Sequence, residues 1–154
     1  MGSIMAFTDW LKKNVTEAKA TLSAEINKFK SKELLEAIVA SSAMVAYADG
    51  QVSSEEKQKL MGYLRTSDQL KYFDQNDVIK IFQKYVEKYE FDAVIATGEV
   101  MAAVNKFKGK PQAQLVVRVC CAIGASDGDF DETEKAVVRR MCSELALDPG
   151  AFSL

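Results

Sequence analysis

The sequence contains no histidine among its 154 residues, which removes the commonest protein metal ligand and the commonest general base. It has no uninterrupted apolar run of the roughly 18 residues that a membrane-spanning helix needs. Its 20 basic residues are balanced by 22 acidic ones, and a net charge of −2 offers no basic surface for nucleic acid. We therefore expect a soluble, single-domain protein that does not bind nucleic acid.

The chain has few cysteines, and they show neither a disulfide pattern nor a metal-ligand spacing. Cys120, Cys121 and Cys142 lie inside apolar, helix-like segments. An odd number of such residues is typical of reduced thiols in a cytoplasmic protein. The N-terminus lacks the basic-then-apolar pattern of a secretory signal, which also predicts a cytoplasmic location. We expect all three thiols to be buried and slow to react.

Acidic residues are concentrated in one stretch between two apolar segments. Residues 126–135 read SDGDFDETEK and contain five carboxylates. A related stretch, ADGQVSSEEK, covers residues 48–57, and aligning Asp49 with Asp127 gives an offset of 127 − 49 = 78 residues. The same offset pairs Glu56 with Glu134. The chain therefore resembles a duplicated unit.

Each copy has the sequence of a corner between two helices. Gly50 and Gly128 can adopt the left-handed conformation that is common just after a helix. Ser53 and Asp131 are predicted N-caps, each preceded by an apolar residue and followed three residues later by a glutamate that completes a capping box. We call residues 47–57 the first corner and residues 125–135 the second corner.

Asp49 and Asp127 are not explained by capping. We place each in the last turn of a helix, where a carboxylate lies at the negative end of the helix dipole. A cation would relieve this repulsion, and oxygen-only donors suit calcium, magnesium or manganese rather than zinc. Spacing alone leaves two interpretations open: the acidic residues bind a cation, or the glutamates only cap their helices. An EF-hand is excluded, because its final glutamate position is occupied by Leu60 in the first copy and Val138 in the second.

The two Asp-Gly corners, the VSSEEKQK and DGDFD runs and the closing LDPGAF resemble the TerB family of bacterial tellurite resistance proteins. The resemblance covers nearly the whole chain and is weakest before about residue 30. It implies an all-helical cytosolic protein that chelates metal through its acidic corners. It also implies partners in the same system, namely a TerC-like membrane protein and calcium-binding TerD-type proteins, which would hold the chain at the inner face of the membrane.

With this resemblance, we predict a divalent cation, calcium or alternatively magnesium or manganese, at the second corner. A weaker or contributory site is predicted at the first corner, where Gln51 and Ser53 replace two of the second corner's aspartates. The predicted ligands are Asp127, Asp129, Asp131, Glu134, Asp49 and Glu56. Tellurium chemistry also makes a thiol a candidate reductant, although burial of the cysteines argues against that role.

Helical periodicity extends along the chain and predicts an all-α bundle of about seven helices. Residues 1–30 form an amphipathic helix that packs on the bundle, attaches loosely or lies on a membrane surface. Residues 31–154 form the TerB-like domain, in which residues 34–48 and 112–126 are central helices. The run 115–123 has strand propensity, but its length and its partner 78 residues earlier favour a helix.

Three functional classes remain open. The first is a metal-binding scaffold or sensor, and the second is a metal-independent interaction module with an exposed apolar patch. The third is a carboxylate-metal enzyme, for which the sequence offers no histidine, no glycine-rich phosphate loop and no recognisable nucleophile and base. An enzyme would place the carboxylates in a deep pocket, whereas a scaffold or sensor would place them on a shallow surface. We expect a non-enzymatic protein.

Overall fold

The structure is a computed structural model that describes residues 15–126 and 130–154, with side chains from residue 21 onward except that of Ser126. These residues form seven α-helices, two short 3₁₀ helices and no strand. The α-helices are α1 (Val15–Phe29), α2 (Lys32–Ala46), α3 (Ser54–Thr66), α4 (Gln75–Phe91), α5 (Ala93–Asn105), α6 (Gln112–Ser126) and α7 (Glu132–Glu144). The 3₁₀ helices are Asp68–Leu70 and Pro149–Phe152. The predicted all-α fold is confirmed, and residues 115–123 are helical.

The centre of the bundle is the packed pair α2 and α6. Small residues on α2, including the fully buried Ala37 and Ala40, allow neighbouring helices to approach closely. The polar side chains of α2 are satisfied within the core, since the Ser41 hydroxyl donates to the Ala37 carbonyl at 2.6 Å. The Cys120 thiol of α6 in turn donates to the Ser41 oxygen at 3.2 Å. The hydrogen bond between Cys120 and Ser41 therefore joins the two helices inside the core.

The other helices surround this pair. Helices α4 and α5 pack on α2 and on each other, while α7 packs on α6, α2 and α5. Helix α1 lies across α6 and the Asp68–Leu70 turn, where the Ser23 hydroxyl donates to the Asp68 carbonyl at 2.7 Å. Its Leu22 and Ile26 side chains are buried in the core. Among the described residues, no helix combines the length and the apolar character needed to cross a membrane.

The predicted duplication is visible in the lengths of two helices. Helix α3 spans Ser54–Thr66, and adding 78 to each bound gives 132 and 144, the bounds of α7. Both helices begin with a capping box at the predicted N-cap. The second helix of each unit thus starts and stops at corresponding positions.

Two details differ from the sequence-based expectations. Helix α2 ends at Ala46 rather than at residue 48, because the chain turns at Tyr47. Helix α5 begins after its N-cap Asp92, but its apolar residues Val94 and Ile95 point to solvent, at 83% and 54% exposure. Helical periodicity predicts that apolar residues such as these face the core, but no element within residues 15–126 and 130–154 covers this part of the α5 surface.

Candidate metal-binding corners

The first corner is a tight turn that follows α2. The Gly50 amide donates to the Tyr47 carbonyl at 2.9 Å, and Gly50 has a φ of +95°. This left-handed conformation is strained for residues with a side chain, so the predicted role of Gly50 is confirmed. Val52 then packs against the core as a half-buried residue, at the position expected for a hydrophobic staple.

Both corners end in a complete capping box. In the first, the Glu56 amide donates to Ser53 Oγ at 3.1 Å and the Ser53 amide donates to Glu56 Oε1 at 3.2 Å. In the second, the Glu134 amide donates to Asp131 Oδ1 at 2.8 Å and the Asp131 amide donates to Glu134 Oε1 at 3.0 Å. The capping function of these four residues is therefore established by geometry, independently of any metal.

Asp49 does not occupy the position expected for it. It lies three residues beyond the end of α2 instead of in the last helical turn, and its side chain is exposed. Its Oδ1 atom accepts a hydrogen bond from the Gln51 amide at 3.3 Å. The turn thus gives Asp49 a local structural role, and its carboxylate lies farther from the end of the helix dipole than the sequence predicted.

The second corner is described only in part. Asp127, Gly128 and Asp129 lie outside the described residues, so the predicted ligands Asp127 and Asp129 have no assigned positions. Phe130 is half-buried and packs against the core at the predicted staple position. Its ring lies so close to Gly124 that a Cβ atom on that glycine would be 2.5 Å from the ring. The glycine therefore makes room for the staple.

The described ligands do not assemble into a site by themselves. In residues 15–126 and 130–154, no group of three or more acidic, cysteine or histidine side chains is placed to hold a metal ion. Asp49, Glu56 and Asp131 are exposed, whereas Glu134 is half-buried. A complete site at the second corner would therefore require Asp127 and Asp129, as the sequence predicts.

A carboxylate that sequence reasoning missed supports the first corner. Glu90, near the end of α4, accepts a hydrogen bond from the Tyr47 hydroxyl at 3.0 Å and forms an ion pair with Lys57. The hydrogen bonds from Lys57 and Tyr47 lower the pKa of Glu90. The Tyr47 ring also stacks on Tyr89 with a centroid distance of 5.0 Å. Glu90 thus joins the two ends of the first corner to α4. Its partners lie 33 and 43 residues away in the sequence, so local sequence patterns do not predict these contacts.

A second carboxylate links α2 to α4. Glu36 accepts hydrogen bonds from the Tyr85 hydroxyl at 2.5 Å and from Lys84 Nζ at 2.9 Å. Partial burial opposes ionisation, but the hydrogen bonds from Tyr85 and Lys84 outweigh it and lower the pKa of Glu36 below 4.5. Phe82, Tyr85 and Tyr89 are buried, so these three aromatic residues of α4 belong to the core, whereas Phe91 at the end of the helix is exposed.

The three thiols are free and buried, which confirms their predicted location. Burial raises the pKa of Cys120 to about 12 and that of Cys142 to about 11, and it also raises the pKa of Cys121. All three are therefore protonated at neutral pH. Because the thiolate is the reactive form, the structure gives no support to a role as tellurium reductant.

In the part of the chain that the structure describes, two surface clefts lie away from the corners. The larger, of about 650 Å³, has an apolar floor that includes Phe29 and Leu115 and a rim with Lys108, Lys110 and Arg118. The smaller lies between α4 and α5. As far as the described residues show, neither cleft is lined by a predicted metal ligand.

Comparison with known proteins connects these corners to a family. The family model described as tellurite resistance protein TerB matches residues 35–154, which include both corners. A protein of Alcaligenes sp. named tellurium resistance protein TerB is 40% identical over 116 residues, covering 75% of this chain and 95% of that protein. No solved structure matches the chain. The chain therefore belongs to the TerB family of tellurite resistance proteins.

Proposed function

We propose that the chain acts in tellurite resistance as a non-enzymatic protein that binds a divalent cation at its acidic corners. In this role it is a scaffold or sensor for other proteins of the same system. The observation that carries the proposal is the family match, because the matched residues 35–154 contain both acidic corners and the named relative is a tellurium resistance protein.

The proposed ion is calcium, with magnesium and manganese as alternatives, held by Asp127, Asp129, Asp131 and Glu134. The capping role of Asp131 is compatible with this proposal. Only its Oδ1 atom is used by the capping bond, and an ionised carboxylate offers about four acceptor sites. The donors are all oxygen, as a hard cation prefers. Asp49 and Glu56 would form a weaker site, because the first corner contains fewer carboxylates.

The proposed partners follow from the family resemblance. They are a TerC-like membrane protein and TerD-type proteins, and contact with the former would hold this cytoplasmic chain near the inner face of the membrane. Binding of a cation would act on such contacts by fixing the conformation of the second corner. A ligand that binds one conformation in preference to another shifts the population toward it.

A metal-independent interaction module is the second candidate, and one observation favours it. Every described member of the predicted ligand set already accepts a local backbone hydrogen bond, so capping and turn formation account for these residues. If this candidate is correct, removing cations will change neither the stability of the chain nor its partner binding.

Calorimetric titration of the metal-free protein with calcium, magnesium and manganese tests the proposal, together with thermal unfolding under the same conditions. We expect binding and a higher melting temperature with at least one ion, since a ligand of the folded state stabilises it. The double variant D127N/E134Q should lose both effects. The control E33Q/D68N removes the same number of charges from exposed positions outside the corners and should keep both effects. Absence of any response in the wild-type protein would leave the carboxylates as caps only.

A further inference from the structure

Three large apolar side chains are exposed next to one another where α4 meets α5. Phe91 is 86% exposed, Val94 83% and Ile95 54%. Only one other large apolar residue in the described part of the chain, Tyr72 at 40%, is comparably accessible. Single exposed apolar residues are ordinary, but a cluster of three indicates a surface that another molecule covers.

A shallow groove of about 290 Å³ between α4 and α5 adjoins these residues. Phe91 and Ile95 form its apolar part, and Lys84, Glu87, Lys88 and Glu99 form its charged part. Two lysines and two glutamates give this surface no net charge. Lys84 and Lys88 form ion pairs with Glu36 and Glu99 at 2.9 and 3.0 Å, whereas Glu87 has no ion pair within the described residues.

The order of charges along α4 is self-complementary. Lys84, Glu87, Lys88 and Phe91 are spaced as i, i+3, i+4 and i+7 and therefore share one face of the helix. If a second copy of α4 runs antiparallel across a two-fold axis between Glu87 and Lys88, each glutamate faces the lysine of the other copy. The same axis places Lys84 opposite the other copy's Phe91, a pair suited to a cation–π contact. A two-fold interface requires this kind of self-complementary patch.

Other occupants fit the surface less well. A membrane-binding surface combines apolar residues with an excess of lysine and arginine, which this neutral patch lacks. A strongly acidic or basic partner would require a patch of one sign. We propose that the face formed by Phe91, Val94, Ile95, Lys84, Glu87, Lys88 and Glu99 is an interface with a second copy of this chain. Because it exposes only three large apolar side chains, we expect a weak dimer that dissociates on dilution.

The experiment is sedimentation equilibrium of the full chain over a wide concentration series. We expect the mean mass to rise from the monomer value of 17.0 kDa toward twice that value. E87K alone and K88E alone each place like charges opposite one another, and each should weaken self-association by about tenfold or more. An equimolar mixture of the two variants should recover association as a heterodimer, because every opposed pair is again of opposite charge.

F91S should abolish association, and Y72S should leave it unchanged as a control at another exposed aromatic residue. Recovery in the mixture also shows that both charge variants are folded. A wild-type chain that stays monomeric at all concentrations would overturn the proposal, and so would a dimer that persists in F91S. Binding of monomeric wild-type chain to phosphatidylcholine and phosphatidylglycerol vesicles, lost in F91S, would assign the patch to a membrane surface instead. None of these outcomes depends on cation binding at the corners.

Discussion

Asp131 has two separable properties, a capping oxygen and a negative charge, and substituting it by serine or by alanine distinguishes them. Serine keeps a hydroxyl that can cap α7, as Ser53 caps α3 in the first corner, but removes the charge. Alanine removes both properties. We expect D131S to retain most of the stability of the wild-type protein, D131A to be clearly less stable, and both to lose the cation response.

The magnitudes follow from the capping box. Loss of an N-cap side chain typically costs about 1 kcal/mol of folding free energy. The Asp131 bond to the Glu134 amide, at 2.8 Å, has favourable geometry, so D131A should lose about that amount or more. D131S should lose only the interaction of an exposed carboxylate with the helix dipole, about 0.3–1 kcal/mol. Relief of repulsion from the neighbouring acidic residues offsets part of this loss.

Thermal and urea unfolding of wild-type, D131S, D131A and S53A proteins, each with and without calcium, provides the measurement. For a chain of this size, 1 kcal/mol corresponds to a change of about 2–4 °C in melting temperature. S53A should lose a cap, like D131A, but should keep the calcium response of the second corner. Equal stability of D131A and the wild-type protein would refute the capping argument. An undiminished calcium response in D131S would remove Asp131 from the proposed ligand set.

Two further predictions concern two glycines within helices and the stability of the protein at low pH. G98A should stabilise the protein by about 0.5–1 kcal/mol, because a methyl group at this helical position meets open space. G124A should destabilise the protein by about 1–2 kcal/mol, because its methyl group would collide with the Phe130 ring. Urea unfolding measures both effects, and a stabilised G124A would contradict the described packing. E36Q should be less stable than the wild-type protein at pH 7 by about 1 kcal/mol. Because folding lowers the pKa of Glu36, its contribution to stability is present above pH 4.5 and is lost as the pH falls through the pKa of the folded state. Plots of unfolding free energy against pH for E36Q and the wild-type protein should therefore converge in acid. Parallel plots would contradict the prediction.

The parts of the fold that were predictable depend on interactions between residues close in sequence. A capping box needs only an N-cap and a glutamate three residues later, so Ser53 and Asp131 could be assigned as caps from the amino-acid sequence alone. The length and alanine content of α2 and α6 similarly identified the central helices. The end of α2 was misplaced by two residues, because hydrophobicity continues through Tyr47 and Ala48 although the backbone leaves the helical conformation at Tyr47.

The unpredicted features depend on contacts between distant residues. Glu90 could not be assigned to the first corner from the sequence, since Lys57 in α3 and Tyr47 just after α2 lie 33 and 43 residues away from it. The exposure of Val94 and Ile95 was missed for a related reason. A periodic pattern shows which residues share a helix face, but only tertiary packing decides whether another element covers that face.

The contact with Glu90 also makes the two corners physically unequal. Tyr47 and Lys57 bind the same carboxylate, so the first corner is held to α4 without any cation. At the position equivalent to Tyr47, 78 residues later, the second corner has Ala125, which has no side-chain donor. Lys135, equivalent to Lys57, lies over the Phe130 ring at 5.9 Å from its centroid.

The second corner has five carboxylates in its sequence, whereas the first corner has three. A cation would offset this larger negative charge at the second corner, whereas the ion pair between Lys57 and Glu90 links the first corner to α4. The larger number of carboxylates is the reason to place the proposed calcium site at the second corner. D131S removes one of these carboxylates and should lose the calcium response, whereas S53A removes none and should keep it. If both variants responded equally, the proposed site would not depend on Asp131.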